Sequence, residues 1–525
     1  MSTVSKLKKS RNQWKKKAVT GAEEIRYLRK RLKSVKDARD RLSKELKNSK
    51  ENLPVYKAPS IQHKQDLVFL AIQLIQIARI GFRAASRVLG VLVDYLGIKR
   101  APCPQTIINW FIKLSIVRTQ SFSPVENLPR NQISNGWIYM IDASIGLGTG
   151  KILTVLAMRA DYHKHASGAP GFADVRCVAV AVANTWTGAS IADFLKRVIA
   201  VTGRPVAYLK DRAADLLRAI RLLVDEGLSS PMIDDISHAI ANLLKWRYQD
   251  HPMLQTFLSA CSQISANLKQ TALACLAPPR VQTKARFMNL HRLITWADQL
   301  LKHSPPGRAP KGSMLAKLRE SLDFLTLCKP LIQRFRDDAT PLLECQQILK
   351  ANGLNNQTMA QCESLIQAIP AIPLRQEFRA YLEIQLDTAR SIGLDDIGIP
   401  ISSDPIESLF GLGKIHGAGQ IKDADRIALR LPALCGIPTR EEARQVLGVS
   451  VAQYREIIDP LTSLTKQRRN VFPNPGQLES LINSQAHVEL IPSPKNRSNN
   501  KNILLIPDNC REVPGPQIFI QEGFG

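Results

Sequence analysis

Three carboxylates in separate contexts have the chemistry to act together: Asp142 in Met140-Ile-Asp-Ala-Ser144, Asp211 in Tyr208-Leu-Lys-Asp211, and Glu407 in Asp404-Pro-Ile-Glu-Ser408. The first two each end a short apolar run that reads as a strand, and the third falls where a helix begins. Cleaving a phosphodiester with water requires a more acidic nucleophile and a leaving 3′ oxygen whose charge is neutralised. Two Mg²⁺ ions about 3.5–4 Å apart supply both functions. Magnesium prefers oxygen ligands and keeps several of its waters, so a few carboxylates suffice. A lone Asp usually caps a helix or sits in a surface turn. The three in this order are instead expected to hold two Mg²⁺, with Mn²⁺ as a substitute.

A second pair needs separate weighing. In Asp235-Ile-Ser-His238 the histidine lies one helical turn from the aspartate, and a hydrogen bond between them would fix the start of a helix. An organising role for Asp235 and His238 is the reading adopted. The alternative, in which Asp235 or Asp234 replaces Asp211 as the second metal ligand, stays open.

The charge names the partner. The 525 residues hold 72 Lys and Arg against 45 Asp and Glu, a formal +27, which points to a polyanion and to nucleic acid first. Residues 1–50 alone carry 18 basic and 5 acidic side chains, about half of that excess. Nine cysteines without a Cys-x-x-Cys pair argue against a disulfide framework or a structural zinc site and suit a reducing compartment. The N-terminus is basic but lacks the apolar segment of a signal peptide. The most apolar helical stretch, Leu67 to Gly81, is interrupted by Gln73, Gln76 and Arg79 and is too short to span a bilayer. A soluble cytoplasmic protein with no membrane partner is expected.

The periodicity places these residues on elements. Residues 1–50 read as a basic helix in which Ile25, Leu28, Leu32, Val35, Leu42 and Leu46 follow heptad spacing, broken by Arg39, so a coiled-coil pairing is one reading and a solvated helix the other. Residues 61–125 read as helices. Leu67, Leu70, Leu74 and Ile77 form one apolar stripe, and the helix opening at Pro104-Gln-Thr completes a helix-turn-helix pattern. Gln105, Thr106 and Asn109 would then face a DNA major groove, and Trp110 and Phe111 the core.

Across residues 133–244 the pattern changes to strands at Trp137–Ile141, Ile152–Met158, Cys177–Ala183 and Val206–Leu209, with a fifth starting at Met232. Helices fall at Ile191–Ile199, Ala214–Val224 and Ile236–Leu244. The order β-β-β-α-β-α-β predicts an α/β RNase H-like fold, a mixed sheet with helices on both faces. Its first and fourth strands are neighbours, which would bring Asp142 and Asp211 together. Residues 245–395 read as an all-helical insertion, 396–436 as the second part of the core with the Glu407 helix, and 437–471 as a small helical unit. The tail, 472–525, has no clear periodicity and reads as extended or disordered.

With these residues in view, the chain resembles a DDE transposase of the kind encoded by bacterial insertion sequences. The resemblance covers about Trp137 to Gln420. Asp142 and Asp211 stand where that family has its two aspartates, and Glu407 begins the helix after the insertion. Asp235-x-x-His238 is similar to the (C/D)-x-x-H motif of Mutator-like transposases. Lys414, seven residues after Glu407, stands where many transposases and integrases carry a basic residue that contacts the transposon end. The resemblance implies binding to terminal inverted repeats, hydrolysis at the element's ends, and joining of the freed 3′-OH to target DNA. It also implies a homodimer or larger synaptic assembly, for which the N-terminal heptads are a candidate interface. A non-catalytic DNA-binding protein and a structure-selective nuclease with the same core are the rival readings.

Two other patterns carry less. Gly146-Leu-Gly-Thr-Gly-Lys151 resembles a phosphate-binding loop, but Ile145 stands at the required first glycine and Ile152 at the Ser/Thr position, so a tight turn explains it. His163 and His165 beside Asp161 read as a solvated or DNA-contacting loop.

Overall fold

The structure is a computed structural model that describes residues 3–51, 63–122, 136–144, 146, 150–228, 230–281, 286–302, 308–416, 423–461 and 487–492. The chain divides into two compact units: residues 1–62 with 91–100, and residues 63–90 with 101–525.

The first unit contains α1 (Thr3–Glu51), a single 49-residue helix, and a short helix discussed below. Its apolar seam is open, with Ile25, Leu28, Leu32 and Val35 each more than half exposed.

In the second unit, α2 (Lys64–Gln76) buries Val68, Ala71, Ile72 and Ile75. The expected stripe is therefore displaced: Leu67, Leu70 and Leu74 are only half-buried, and Ile77 is exposed. The helix is apolar on nearly all sides, so spacing alone does not say which face meets the core. Next come α3 (Phe82–Val91), α4 (Val93–Leu96, in the first unit) and α5 (Pro104–Gln120). Gly97 closes α4 in the left-handed conformation (φ 63°).

The core is one mixed sheet. Its first strands are β1 (Trp137–Ala143) and β2 (Lys151–Arg159), followed by a four-residue helix α6 (Tyr162–His165) and β3 (Val175–Ala183). Then come α7 (Gly188–Thr202), β4 (Ala207–Lys210), α8 (Ala214–Asp225) and β5 (Met232–Asp234). β1, β2 and β3 pair antiparallel, while β4 runs parallel to β1 and β5 parallel to β4. The glycine-rich run Gly146–Lys151 falls in the β1–β2 connection, where residues 145 and 147–149 lie outside the described residues, and Lys151 opens β2.

α9 (Ile236–Tyr248) follows β5 out of the sheet, and the helical insertion then comprises α10 (Pro252–Leu268), α11 (Arg286–Lys302), α12 (Met314–Asn352), α13 (Asn356–Gln367) and α14 (Ile372–Ser391). α12 runs through Pro330 and Pro341. Each internal proline costs about 3 kcal/mol, and buried Leu331, Ile332, Phe335, Leu342 and Leu349 offset it. The chain closes with α15 (Asp404–His416), α16 (Ala424–Ala428), α17 (Leu431–Leu434), α18 (Arg440–Gly448), α19 (Val451–Ile458) and β6 (Glu489–Leu490).

β6 completes the strand order β5-β4-β1-β2-β3-β6. It lies in the tail, where residues 487–492 are described, and pairs with β3 antiparallel as a short extended strand. Two residues are too few for a strand to show its period. The tail is also held at His487, whose ring lies 3.3 Å from Asp425 and 3.2 Å from Asn184.

Side-chain alternation decides which way the sheet's chemistry faces. Tyr139 and Ile141 of β1 pack with Leu153 and Val155 of β2 against Leu195 and Val198 of α7 and Leu216 and Ile220 of α8. The residues between them, Ile138, Met140 and then Asp142, point to the opposite face, where α15 lies against β1 and α16 and α17 against the neighbouring strands.

The Asp161 loop differs from its solvated reading. Asp161 is buried, with Arg159 Nε at 2.8 Å and His165 Nε2 at 3.2 Å. His163 is half-buried against the end of α12, and burial pushes its pKa down to about 4. A Cβ on Gly353 (φ 71°) would lie 2.5 Å from His163 Cδ2 and 3.0 Å from the Ile399 carbonyl. Gly353→Ala is therefore expected to cost about 2–3 kcal/mol from strain and clash together. In chemical denaturation, adding His163→Ala should recover the clash but not the backbone part.

Candidate active site

β1 and β4 pair in register, Ile141 opposite Lys210, so the next residues, Asp142 and Asp211, stand side by side at the ends of adjacent parallel strands. The Asp142 carboxylate accepts a hydrogen bond from the Ala143 N–H at 2.7 Å. Asp211 Oδ1 accepts one from the Ala213 N–H at 3.0 Å, which braces the turn into α8. Glu407 comes from the first turn of α15, where Asp404 and Pro405 start the helix.

The three acids are electrostatically one group. Burial, then the charge of Asp211 and then that of Glu407 push the Asp142 pKa from 3.8 up to about 7, against the opposing pull of the Ala143 N–H and His238. His238 from α9 reaches the same place, its Nε2 3.0 Å from Glu407 Oε1. That hydrogen bond, with the charges of Asp235, Glu407 and Asp211, overcomes burial and raises the His238 pKa to about 9. At neutral pH the ring is an imidazolium that donates to Glu407.

Asp235 is buried and fully engaged. Oδ1 accepts the His238 N–H at 2.8 Å and caps α9, while Oδ2 accepts the Ser403 N–H at 2.6 Å and the Ser403 hydroxyl at 2.9 Å. Its contact with His238 is therefore to the backbone, and the ring points to Glu407. Asp234 is engaged as well. Oδ1 pairs with the fully buried Lys210 at 2.7 Å and Oδ2 with Arg212 at 2.8 Å. Neither aspartate carries the free lone pairs of Asp142 or Asp211.

The residues expected to read DNA lie in the first two turns of α5. Trp110 and Phe111 are buried, as a core face requires. Gln105 is exposed, and Thr106 and Asn109 are half-buried. Asn109 Oδ1 accepts from Gln105 Nε2 at 2.8 Å and from the Tyr454 hydroxyl of α19 at 3.0 Å, and Thr106 lies 3.2 Å from Cys103 Sγ. Most of α5 beyond its first turn is enclosed by α2, α17, α18 and β3. Lys414 lies two turns beyond Glu407 on α15 and is half-buried.

Spacing also missed Lys210, Arg212, Tyr381, Gln385, Lys350 and Ser403, which hold the acids from behind. The one local signal was a lysine ending a strand directly before Asp211. Thr154, opposite Asp142 in the register, is another missed residue, with a buried hydroxyl that has no partner among the described residues.

Among the described residues, no three His, Cys, Asp or Glu side chains are grouped closely enough to hold one ion between them. The chemistry of the donors does fit: they are hard carboxylate oxygens, and a cation would relieve the burial and the neighbouring negative charge that raise the Asp142 pKa. No helix of the described residues is long and apolar enough to cross a membrane.

No protein-family model and no curated protein matches the chain. Among solved structures it is similar to the Drosophila P element transposase strand transfer complex, with 12% identity and a TM-score of 0.37, over 79% of this chain and 100% of that one. A likeness of this size leaves fold and function to be argued from the chain's own residues.

Proposed function

We propose that the protein is a DNA transposase with an RNase H-like core, in which Asp142, Asp211 and Glu407 form one metal-dependent phosphodiester site. The observation that carries this reading is the parallel register that sets Asp142 of β1 beside Asp211 at the end of β4, with Glu407 of α15 held by His238. The strand order and senses support the fold: three antiparallel strands, then two joined parallel on the far side of the first. The net charge of +27 supports a nucleic-acid substrate.

Asp142, Asp211 and Glu407 would hold Mg²⁺, which when bound acidifies a water and neutralises the leaving 3′ oxygen. Asp211, rather than Asp234 or Asp235, supplies the second carboxylate, because both oxygens of each rival are already hydrogen-bonded. His238 Nε2–H orients the Glu407 carboxylate, and the Asp235 cap fixes the helix that carries His238. Lys414 and the basic α1 contact the DNA backbone. The substrates are the terminal repeats of the protein's own element and a target duplex, and a second copy of the chain joins through the open seam of α1.

A second reading, a DNA-binding protein without catalysis, is favoured by two observations: His238 already pairs with Glu407, and no closed ligand cage is formed among the described residues. Incubating the protein with a duplex bearing the inverted repeats that flank its gene, with Mg²⁺, separates the cases. The transposase reading expects nicks at the repeat ends and covalent joining to a second duplex. Nicks without joining point to a nuclease. Binding without nicks sinks the catalytic reading.

A further inference from the structure

We propose that the helical insertion sets the separation between Asp211 and Glu407, with Lys210 and Lys350 as the positioning residues. This rests on the metal-site reading above.

The first half of the clamp is a hub at Asp234, whose polar atoms are all engaged. Its N–H donates to Gln385 Oε1 at 2.9 Å, and its carbonyl accepts the Tyr381 hydroxyl at 2.7 Å, both from α14. Its carboxylate binds Lys210 and Arg212, and the Arg212 guanidinium lies 5.8 Å from the centre of the Tyr381 ring. Lys210 Nζ also lies 3.4 Å from the Asp211 carbonyl. An unbroken set of polar contacts thus runs from α14 through Asp234 and Lys210 to the backbone of Asp211.

The second half comes from α12. Lys350 Nζ lies 2.6 Å from Asp404 Oδ2, on the residue that opens the Glu407 helix. One turn earlier, Gln346 Nε2 donates to Ser237 Oγ at 2.8 Å, beside His238. The insertion therefore grips the elements carrying Asp211, His238 and Glu407 from one side. A buried lysine paired to a carboxylate is poor evidence of net stability, but it fixes geometry, and ligand-supporting contacts of this kind typically change metal affinity or activity by about 10–100-fold.

The test begins with Lys350→Ala, because that pair is partly exposed and its loss spares the fold. Spin labels at Ala214→Cys on α8 and Ser408→Cys on α15, with Cys103, Cys275 and Cys510 changed to serine, report the separation directly. We expect the distance distribution of Lys350→Ala to widen about twofold. The Mg²⁺ concentration for half-maximal nicking should rise about tenfold, with the melting temperature nearly unchanged. Lys350→Arg should restore both readouts, and Tyr381→Phe should weaken cleavage in the same sense from the Asp211 side. A wild-type distance distribution in Lys350→Ala overturns the clamp whether or not the wild type cuts DNA. A widened distribution with an unchanged Mg²⁺ requirement overturns its link to the site. Absence of cleavage by the wild type defeats the metal-site reading alone, and the distances still decide the clamp.

Discussion

Asp142→Asn should lower Mg²⁺-dependent cleavage at least about a thousandfold, about 4 kcal/mol of transition-state stabilisation, while making the metal-free protein more stable near neutral pH. The two effects share one cause. Asp142 is held beside Asp211 and Glu407 in a half-buried position, which favours a bound cation and penalises the bare carboxylate. Its pKa rises on folding from 3.8 to about 7. Between those values the folded protein keeps a proton that the unfolded chain has released, so stability falls as pH rises through this window. The shift corresponds to at most about 4 kcal/mol. Partial exposure reduces the expected gain in the Asp142→Asn variant to about 1–2 kcal/mol. Melting curves in EDTA from pH 4 to pH 8 should show the wild type losing stability across this range more steeply than the variant. An Asp142→Asn protein that cleaves normally, or melts with the wild-type pH slope, contradicts the arrangement of charges.

Asp235→Ala should destabilise the protein by about 2–4 kcal/mol and reduce cleavage along with it. Removing this carboxylate strands the His238 N–H, the Ser403 N–H and the Ser403 hydroxyl together. It also releases the tie between α9 and the segment that leads into α15, so His238 and Glu407 lose their common anchor. Asp235→Asn should fall between, since an amide offers one acceptor oxygen and turns a donor towards one of these groups. Ser403→Ala should cost less, about 1 kcal/mol, because only the hydroxyl contact is lost. Chemical denaturation and cleavage measured on the same preparations distinguish the roles. A metal-ligating Asp235 would give an Asp235→Asn variant of wild-type stability with no activity.

The first five strands of the sheet were legible because they are runs of apolar residues bounded by charge and glycine, and each of the five starts within two residues of its expected place. The pairing of Asp142 with Asp211 followed from strand order alone. Glu407 was legible from Asp404-Pro405, which starts a helix at a defined residue. What spacing could not supply was long-range contact. Nothing near Asn109 announces Tyr454, and nothing near Asp404 announces Lys350. Pro330 and Pro341 argue locally against a helix, whereas the packing of α12 against the other insertion helices carries it through both to Asn352. In Asp235-x-x-His238 the spacing revealed the cap but not the ring, because a side chain's direction depends on the partner awaiting it, here Glu407.

The central claim is that three separated acids make one divalent-metal site. Mn²⁺ binding followed by electron paramagnetic resonance tests it most directly, since it needs neither the element's ends nor turnover. The account predicts saturable binding by the wild type, lost or greatly weakened in Asp142→Asn, Asp211→Asn and Glu407→Gln, and retained in Asp234→Asn. A wild type that binds no Mn²⁺ at millimolar concentration, or that loses binding with Asp234 and not with Asp211, contradicts it.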